Sequence, residues 1–121
     1  MAFGTLKADT LTHSTAGSLA TNFVVEGSAK AWHKGDAAGT SLLDSFNVSS
    51  LADTNTGIQT INLSSAMNNS SYSGHCTVMN NATYIGLITG ATTSLYLGRV
   101  KNTSASAIDE IQGTTIFGDL A

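Results

Sequence analysis

The sequence predicts an all-β protein, a single antiparallel β-sandwich with a jelly-roll-like arrangement of about 7–9 short strands. Short runs of alternating apolar and polar residues recur along the chain, and clusters of Gly, Asn and Asp separate them. No segment sustains the apolar period of an amphipathic helix. With 121 residues, the chain is long enough to bury one core without a metal or a disulfide.

Residues 1–22 are predicted to form an extended N-terminal arm or short edge strands, ahead of a sandwich that takes residues 23–121. The stretch is polar and rich in turn residues. Its few apolar residues are Phe3, Leu6, Leu11 and Leu19. We interpret Phe3, Leu6 and Leu11 as candidates for contacts with a neighbouring subunit rather than as core.

The segment FVVEGSAKAWHK, at residues 23–34, is predicted to form two strand pieces around Gly27. In the second piece Ala31 and His33 share one face, and Trp32 lies on the other, because side chains alternate along a strand. The Gly-rich turn GDAAGT follows.

A β-hairpin is predicted over residues 42–65, where LLDSFNVSSLAD and GIQTINLSS alternate around the turn residues ADTNTG. A second pair, YSGHCTVM and ATYIGLITG, is predicted around Asn80 and Asn81, since Asn tolerates a positive φ. TTSLYLGRVKN and GTTIFGD supply the last strands.

Both faces of several strands carry apolar side chains, more than the core of one small sandwich absorbs. We therefore expect a second layer or another subunit to cover part of them. The core or interface candidates are Phe23, Val25, Trp32, Phe46, Val48, Ile61, Leu63, Val78, Ile85, Leu87, Leu95, Leu97 and Ile116.

Composition excludes several classes of partner. Charged residues are 11% of the chain, against about 25% in ordinary soluble domains, which favours self-association. The net charge is −3 and the five basic residues are scattered, so no nucleic-acid partner is expected. No signal peptide and no membrane-spanning helix are expected, because no long apolar run occurs. Cys76 is the single cysteine, so an internal disulfide is excluded.

No catalytic residue, cofactor site or metal site is predicted. The chain lacks a nucleophile elbow and a phosphate-binding loop. His13, His33 and His75 are the only imidazoles. His75 and Cys76 are adjacent on a predicted strand, so they point to opposite faces and do not share one metal ion. A metal on a symmetry axis, bound by one His from each subunit, stays open as an alternative.

Trp32 is the sole tryptophan. We interpret it first as a core or interface anchor, and second as a platform on which a sugar could stack.

Several motifs resemble those of bacteriophage virion structural and tail-fibre proteins. These are GSAKAW at residues 27–32, DSFNVSS at residues 44–50, the Ala66–Met67 pair ahead of Tyr72, and IFGD at residues 116–119. This chain departs from the family pattern after Trp32, where it has HKGDAAG, and over residues 80–112.

The resemblance implies a virion protein that assembles in the host bacterial cytoplasm, contacts other virion proteins and has no catalytic residues. It implies a homotrimeric tail-fibre or receptor-binding module that holds a host-surface glycan or protein. The alternative is a capsid decoration (cement) protein, which the short chain favours.

Three loops rich in Asn, Ser and Gly could hold a receptor through adaptable hydrogen bonds: HKGDAAGT, MNNSSYSG and VMNNAT. The receptor-contact candidates are His33, Lys34, Asp36, Asn68, Asn69, Tyr72, Asn80 and Asn81. The interface candidates are Phe3, Leu6, Leu11 and Trp32.

Overall fold

The computed structural model describes residues 7–79 and 83–121. In these ranges the chain forms ten strands and one short helix. The elements are β1 Thr10–His13, β2 Gly17–Ala20, α1 Thr21–Gly27, β3 Ala31–Gly35, β4 Leu42–Phe46, β5 Val48–Asn55, β6 Ile58–Leu63, β7 Ser73–Val78, β8 Ile85–Thr89, β9 Leu95–Lys101 and β10 Gln112–Phe117. Phe3, Leu6, Asn80 and Asn81 lie outside the described residues.

Eight of the strands form an antiparallel sandwich, as the sequence predicts. The front sheet has the strand order β4-β3-β10-β7, and the back sheet has the order β5-β6-β9-β8. Eight strands in two sheets is also the strand count of a jelly roll. In this order, however, three pairs of consecutive strands are hydrogen-bonded neighbours. They are β3 with β4 in the front sheet, and β5 with β6 and β8 with β9 in the back sheet.

Asn47 is the corner where the chain passes from the front sheet to the back sheet. Its φ is 55°, a left-handed value that Asn adopts more readily than most residues. Its side-chain Nδ2 donates to the Lys30 carbonyl (3.0 Å), and its Oδ1 accepts from the Ser65 backbone N–H (2.7 Å). The run that the alternation predicts as one strand is therefore two strands, β4 and β5, in different sheets. The hairpin itself is formed by β5 and β6.

The core lies between the two sheets. Ile61, Leu63 and Ile116 are buried there as predicted, and Val48 packs against them. On β9, Tyr96 and Val100 are buried, while the core or interface candidates Leu95 and Leu97 point away from the core and are therefore not core residues. Gly98 shares the inner face with Tyr96, and the side chain of Gln112 fills the space above it.

Four more core or interface candidates are exposed: Trp32, Phe46, Ile85 and Leu87. They occupy the outer faces of the front and back sheets, so a role in the core of this chain is excluded. Val78 is half-buried at the end of β7.

The predicted strand over residues 23–26 is wrong, because these residues belong to helix α1, which has no buried residue. Phe23 and Val25 are more than 60% exposed (64% and 63%), so they are not core residues. β3 is already flanked by β4 and β10, so no position beside it is open to another strand. The segment takes up local helical hydrogen bonds instead.

The N-terminal arm is a β-hairpin followed by α1. Among the strands that the structure describes, β1 pairs with β2 alone, and Leu11 lies opposite Leu19 in that pair. The Thr21 backbone N–H donates to the Asp9 carbonyl (2.9 Å), which ties the start of α1 to the chain ahead of the hairpin. The helix crosses the predicted boundary between residues 22 and 23.

Candidate functional site

The outer face of the front sheet holds a groove of about 350 Å³. We call it the front groove. Strand pairing builds it from two rows of residues that cross all four strands. One row is Asp44, Lys34, Gly113 and Thr77, and the other is Phe46, Trp32, Thr115 and His75. All of these residues except Phe46 line the groove. At the usual spacing between strands, each row spans about 14 Å.

Three side chains on β3 and β4 give the groove its mixed character. Burial alternates along β3, so that Trp32 and Lys34 both point outward. The Trp32 side chain is 36% exposed, and its ring lines the groove. Lys34 is the register partner of Asp44, and neither side chain forms an ion pair with another described residue. The Asp44 carboxylate accepts one hydrogen bond, from the Ser45 backbone N–H (2.8 Å), and keeps further acceptor sites. An aromatic surface, an ammonium and a carboxylate are therefore exposed together.

The other side of the front groove comes from β7 and β10. Thr77 Oγ1 lies 3.1 Å from His75 Nδ1, and both residues are exposed. Gly113 belongs to the first row, and a Cβ atom there would come within 2.3 Å of the Met79 methyl group. The Met79 side chain therefore lies directly over Gly113. Thr115 is the register partner of both Trp32 and His75.

His33 is not a receptor contact of the predicted loop, because it lies inside β3 and is only 2% exposed. Burial lowers the pKa of its imidazole from 6.5 to about 4, and the neighbouring Gln59 side chain acts in the opposite direction. The ring atom Nδ1 is 2.6 Å from Thr114 Oγ1, which in turn is 2.5 Å from the Tyr96 hydroxyl. His33 is thus part of a polar core that holds the two sheets together.

Two atoms of this polar core have no hydrogen-bond partner: His33 Nε2 and Gln59 Oε1. Both face the bare Cα of Gly35, where a Cβ would lie 2.8 Å from Gln59 Oε1 and 3.5 Å from His33 Nε2. The Gln59 amide Nε2 donates to the Asp36 carbonyl (2.9 Å). Gly35 therefore provides the space in which the imidazole and the amide meet.

Cys76 belongs to the same interior. Its thiol lies 3.4 Å from Gln112 Oε1, and burial raises the thiol pKa to about 11. His75, its neighbour, is exposed on the other face of β7, as the predicted alternation requires. The low fraction of thiolate leaves Cys76 chemically unreactive in the folded chain.

Two of the receptor-contact candidates use their side chains to close turns. The Asp36 carboxylate accepts hydrogen bonds from the backbone N–H groups of Thr40 (2.9 Å) and Ser41 (3.0 Å). These bonds lower the pKa of Asp36. Asn69 Oδ1 accepts from the Ser71 N–H (2.7 Å) in the same way. Both side chains have a structural role, which Asp and Asn commonly take in turns.

Tyr72 is half-buried and packs against the core instead of lining a loop surface. Its ring meets that of Tyr96 edge to face, with 6.3 Å between the centroids. Its hydroxyl lies 3.0 Å from the carbonyl oxygens of Thr92 and Leu95, and burial raises its pKa. Asn68 is exposed, but no described contact connects its side chain to the front groove.

The motifs that carry the resemblance come together in space. The Lys30 N–H, within GSAKAW, donates to the Ile116 carbonyl of IFGD (2.9 Å), and the Lys30 carbonyl accepts from Asn47 of DSFNVSS. Met67 forms a β-bridge with Leu120. The Met67 methyl group also packs against Gly118. These motifs therefore specify one corner of the scaffold, and the front groove lies beyond it except for Trp32 and Asp44.

A second exposed surface is formed by the arm. From residue 7 onward, the large apolar side chains of the arm are each exposed by at least 42%: Leu11, Leu19, Phe23, Val24 and Val25. Lys30, whose ammonium donates to the Val25 carbonyl and to Ser28 Oγ, connects the end of α1 to the sandwich. The interface candidate Leu11 is thus exposed, as an intersubunit contact requires.

Within residues 7–79 and 83–121, no three or more His, Cys, Asp or Glu side chains lie close enough to hold a metal ion. In the same ranges no helix has the length and apolar character needed to cross a bilayer.

Comparisons of the chain with family models, with curated proteins and with solved structures give no match.

Sequence inspection identified two groove residues, Trp32 and Lys34, and missed the rest. Asp44, His75, Thr77 and Thr115 lie on three further strands, far apart in the sequence. A useful signal was present, since the predicted alternation placed Trp32 on the strand face opposite Ala31 and His33. The pairing of β3 with β10 was needed to identify its neighbours.

Proposed function

We propose that this protein is a bacteriophage virion structural protein. Its role is that of a homotrimeric tail-fibre or receptor-binding module, which attaches the particle to the host surface. The proposal joins the motif resemblance to the β-sandwich fold and to the two exposed surfaces of the chain.

The observation that carries attachment is the front groove. Trp32, Lys34 and Asp44 line it on a four-stranded sheet, so their positions are fixed by strand pairing and not by a loop. Ligand sites combine apolar and aromatic lining with a few polar groups, and the volume of the groove is within their usual range of about 300–1,000 Å³. The groove is open on the surface of the single chain, where a receptor can reach it.

The arm supports assembly. Isolated two-stranded hairpins are marginally stable in water, yet β1 and β2 pair only with each other among the described strands. Leu11 and Leu19 share one face of this hairpin and are both exposed. Burial against a neighbouring subunit would remove both side chains from water. The threefold symmetry in the proposal comes from the resemblance to tail-fibre proteins.

Capsid decoration is the second candidate, and the arm is the observation that favours it. An apolar arm next to a sandwich suits a protein that binds the capsid shell through the arm and leaves the sandwich exposed on the particle surface. In this case the arm would bind a capsid protein, and the front groove would have no role in infection.

The location of the protein in the particle distinguishes the two functions. We expect gold-labelled antibody against this chain to mark the tail tip in electron micrographs of the phage. We also expect the purified, fluorescently labelled protein to bind cells of the host bacterium and to compete with phage adsorption. Labelling spread over the head, together with no binding to host cells, would reject attachment and support decoration.

A further inference from the structure

We infer that the front groove binds a neutral saccharide. This inference rests on the proposed attachment function, for which it names the class of receptor. It assigns the contacts to the face of the front sheet and not to the loops that the sequence favours.

The side chains of the groove match the two-sided surface of a sugar ring. A pyranose has an apolar C–H face and a rim of hydroxyl groups. The half-exposed indole of Trp32 provides a flat apolar surface against which the C–H face can pack. Asp44 accepts hydrogen bonds from hydroxyl groups, Lys34 donates them, and the Thr115 hydroxyl can do either. All four side chains line the same groove.

The charges indicate a neutral ligand. Lys34 and Asp44 are register partners on β3 and β4, so one positive and one negative group lie side by side. An anionic sugar that is attracted by Lys34 would also be repelled by the neighbouring Asp44 carboxylate. A cationic sugar that is attracted by Asp44 would be repelled by Lys34. Because the two effects offset each other, uncharged hydroxyl groups satisfy both side chains best.

The position of the groove disfavours a peptide or a second copy of this chain. Peptides that add to a sheet pair with an exposed edge strand, through the backbone. The groove instead crosses the face of the sheet, and its central strands β3 and β10 are already paired on both sides. Protein interfaces also tend to exclude charged groups from their centre, whereas Lys34 and Asp44 lie within this groove.

The sole tryptophan makes the site directly observable. Because Trp32 is the only tryptophan, fluorescence excited at a wavelength that tyrosine does not absorb reports on the groove alone. We expect titration with neutral oligosaccharides of glucose, galactose, mannose or their N-acetylamino forms to shift or quench this signal for at least one sugar. Oligosaccharides that contain uronic or sialic acid should bind at least about tenfold more weakly, a difference of about 1.4 kcal/mol.

Variants then test the residues on an array of the same sugars. Trp32→Ala should weaken binding at least about tenfold, while Trp32→Phe should retain part of the affinity because a flat ring remains. Phe23→Ala is the matched control, since Phe23 is an exposed aromatic on α1 that does not line the groove. If Trp32→Ala does not fold, Lys34→Ala and Asp44→Ala keep the fluorescent probe and test the same site.

The outcomes separate this inference from the proposed function. The inference is supported if a neutral sugar changes Trp32 fluorescence and if binding of the same sugar on the array is lost in Trp32→Ala. Binding that leaves the fluorescence unchanged, preference for an acidic sugar, or no sugar binding at all would overturn it. Host-cell binding that persists in Trp32→Ala would leave attachment standing while rejecting the groove as its site.

Discussion

At the scale of single residues, His33 is a buried ionisable group whose protonation state affects stability. The imidazole is buried next to Gln59, and its Nδ1 is bonded to Thr114. Burial disfavours the charged form, so its pKa is lowered from 6.5 to about 4. The unfolded chain therefore takes up a proton near pH 6.5, whereas the folded chain resists protonation until about pH 4. The contribution of His33 to the free energy of unfolding is therefore fully present above pH 6.5, and it is lost as the pH falls towards 4.

We predict that the free energy of unfolding falls by about 2 kcal/mol between pH 7.5 and pH 5 because of His33. Urea denaturation at the two pH values measures this difference. His33→Asn keeps an acceptor close to the position of Nδ1 but does not titrate, so most of this pH dependence should disappear. An equal loss of stability on acidification in both proteins would show that other groups cause it.

At the scale of elements, the β5–β6 hairpin depends on Gly57. Its φ is 68°, in the left-handed region. Its backbone N–H donates to Asp109 Oδ1 (2.6 Å), and its carbonyl accepts from the Val100 N–H (2.8 Å). A Cβ at this position would lie 2.6 Å from the Val100 carbonyl oxygen and 2.7 Å from the Ile108 nitrogen. Backbone atoms on both sides leave little room for adjustment.

Gly57→Ala is expected to lower the free energy of unfolding by at least about 2 kcal/mol. The left-handed conformation alone costs about 1–2 kcal/mol for a residue with a Cβ, and the backbone contacts add to it. Gly27→Ala is the control, because nothing lies within 4 Å of a Cβ there and its φ is not left-handed. We expect this control to change stability by less than about 0.5 kcal/mol. Equal unfolding curves for the two variants would contradict the account of the turn.

At the scale of the whole molecule, the arm and the sandwich differ in how they are stabilised. The sandwich encloses Ile61, Tyr96 and Ile116 between its sheets. The arm instead leaves its apolar side chains exposed, and helix α1 has no buried residue. Exposed apolar surface of this kind marks contact sites in many proteins. The described part of the chain therefore combines a sandwich that has its own core with an arm whose apolar side chains are exposed.

Deletion of residues 1–20 should weaken assembly more than folding. Light scattering at micromolar concentration should show a trimer for the full chain and smaller species for the truncated one. The midpoint of sandwich unfolding should change little when both proteins are measured as monomers.

A double variant, Leu11→Ser with Leu19→Ser, should have the same effect on assembly without shortening the chain. Leu43→Ser is the matched control, since Leu43 is exposed to a similar degree but lies on β4. A monomeric full chain, or a trimer unaffected by the deletion, would reject the proposed role of the arm.

The sequence alone determined the β-class of the protein and most of its strands. Alternation and turn residues act over a few neighbours, so they can be recognised without knowing the fold. They located the β5–β6 hairpin and showed that Trp32 lies opposite His33. They failed for residues 23–26, where the apolar residues indicated a strand but both sides of the following strand, β3, are taken by β4 and β10.

Only the tertiary structure decided which face of each strand is buried and which strands are neighbours. Leu95, Leu97, Tyr96 and Val100 are all apolar, so the alternation of β9 could not show which pair faces the core. The front groove depends on the pairing of β3 with β10, which places Thr115 beside Trp32. Such pairings are long-range, and they are selected by how the two sheets fill the space between them and not by the local sequence.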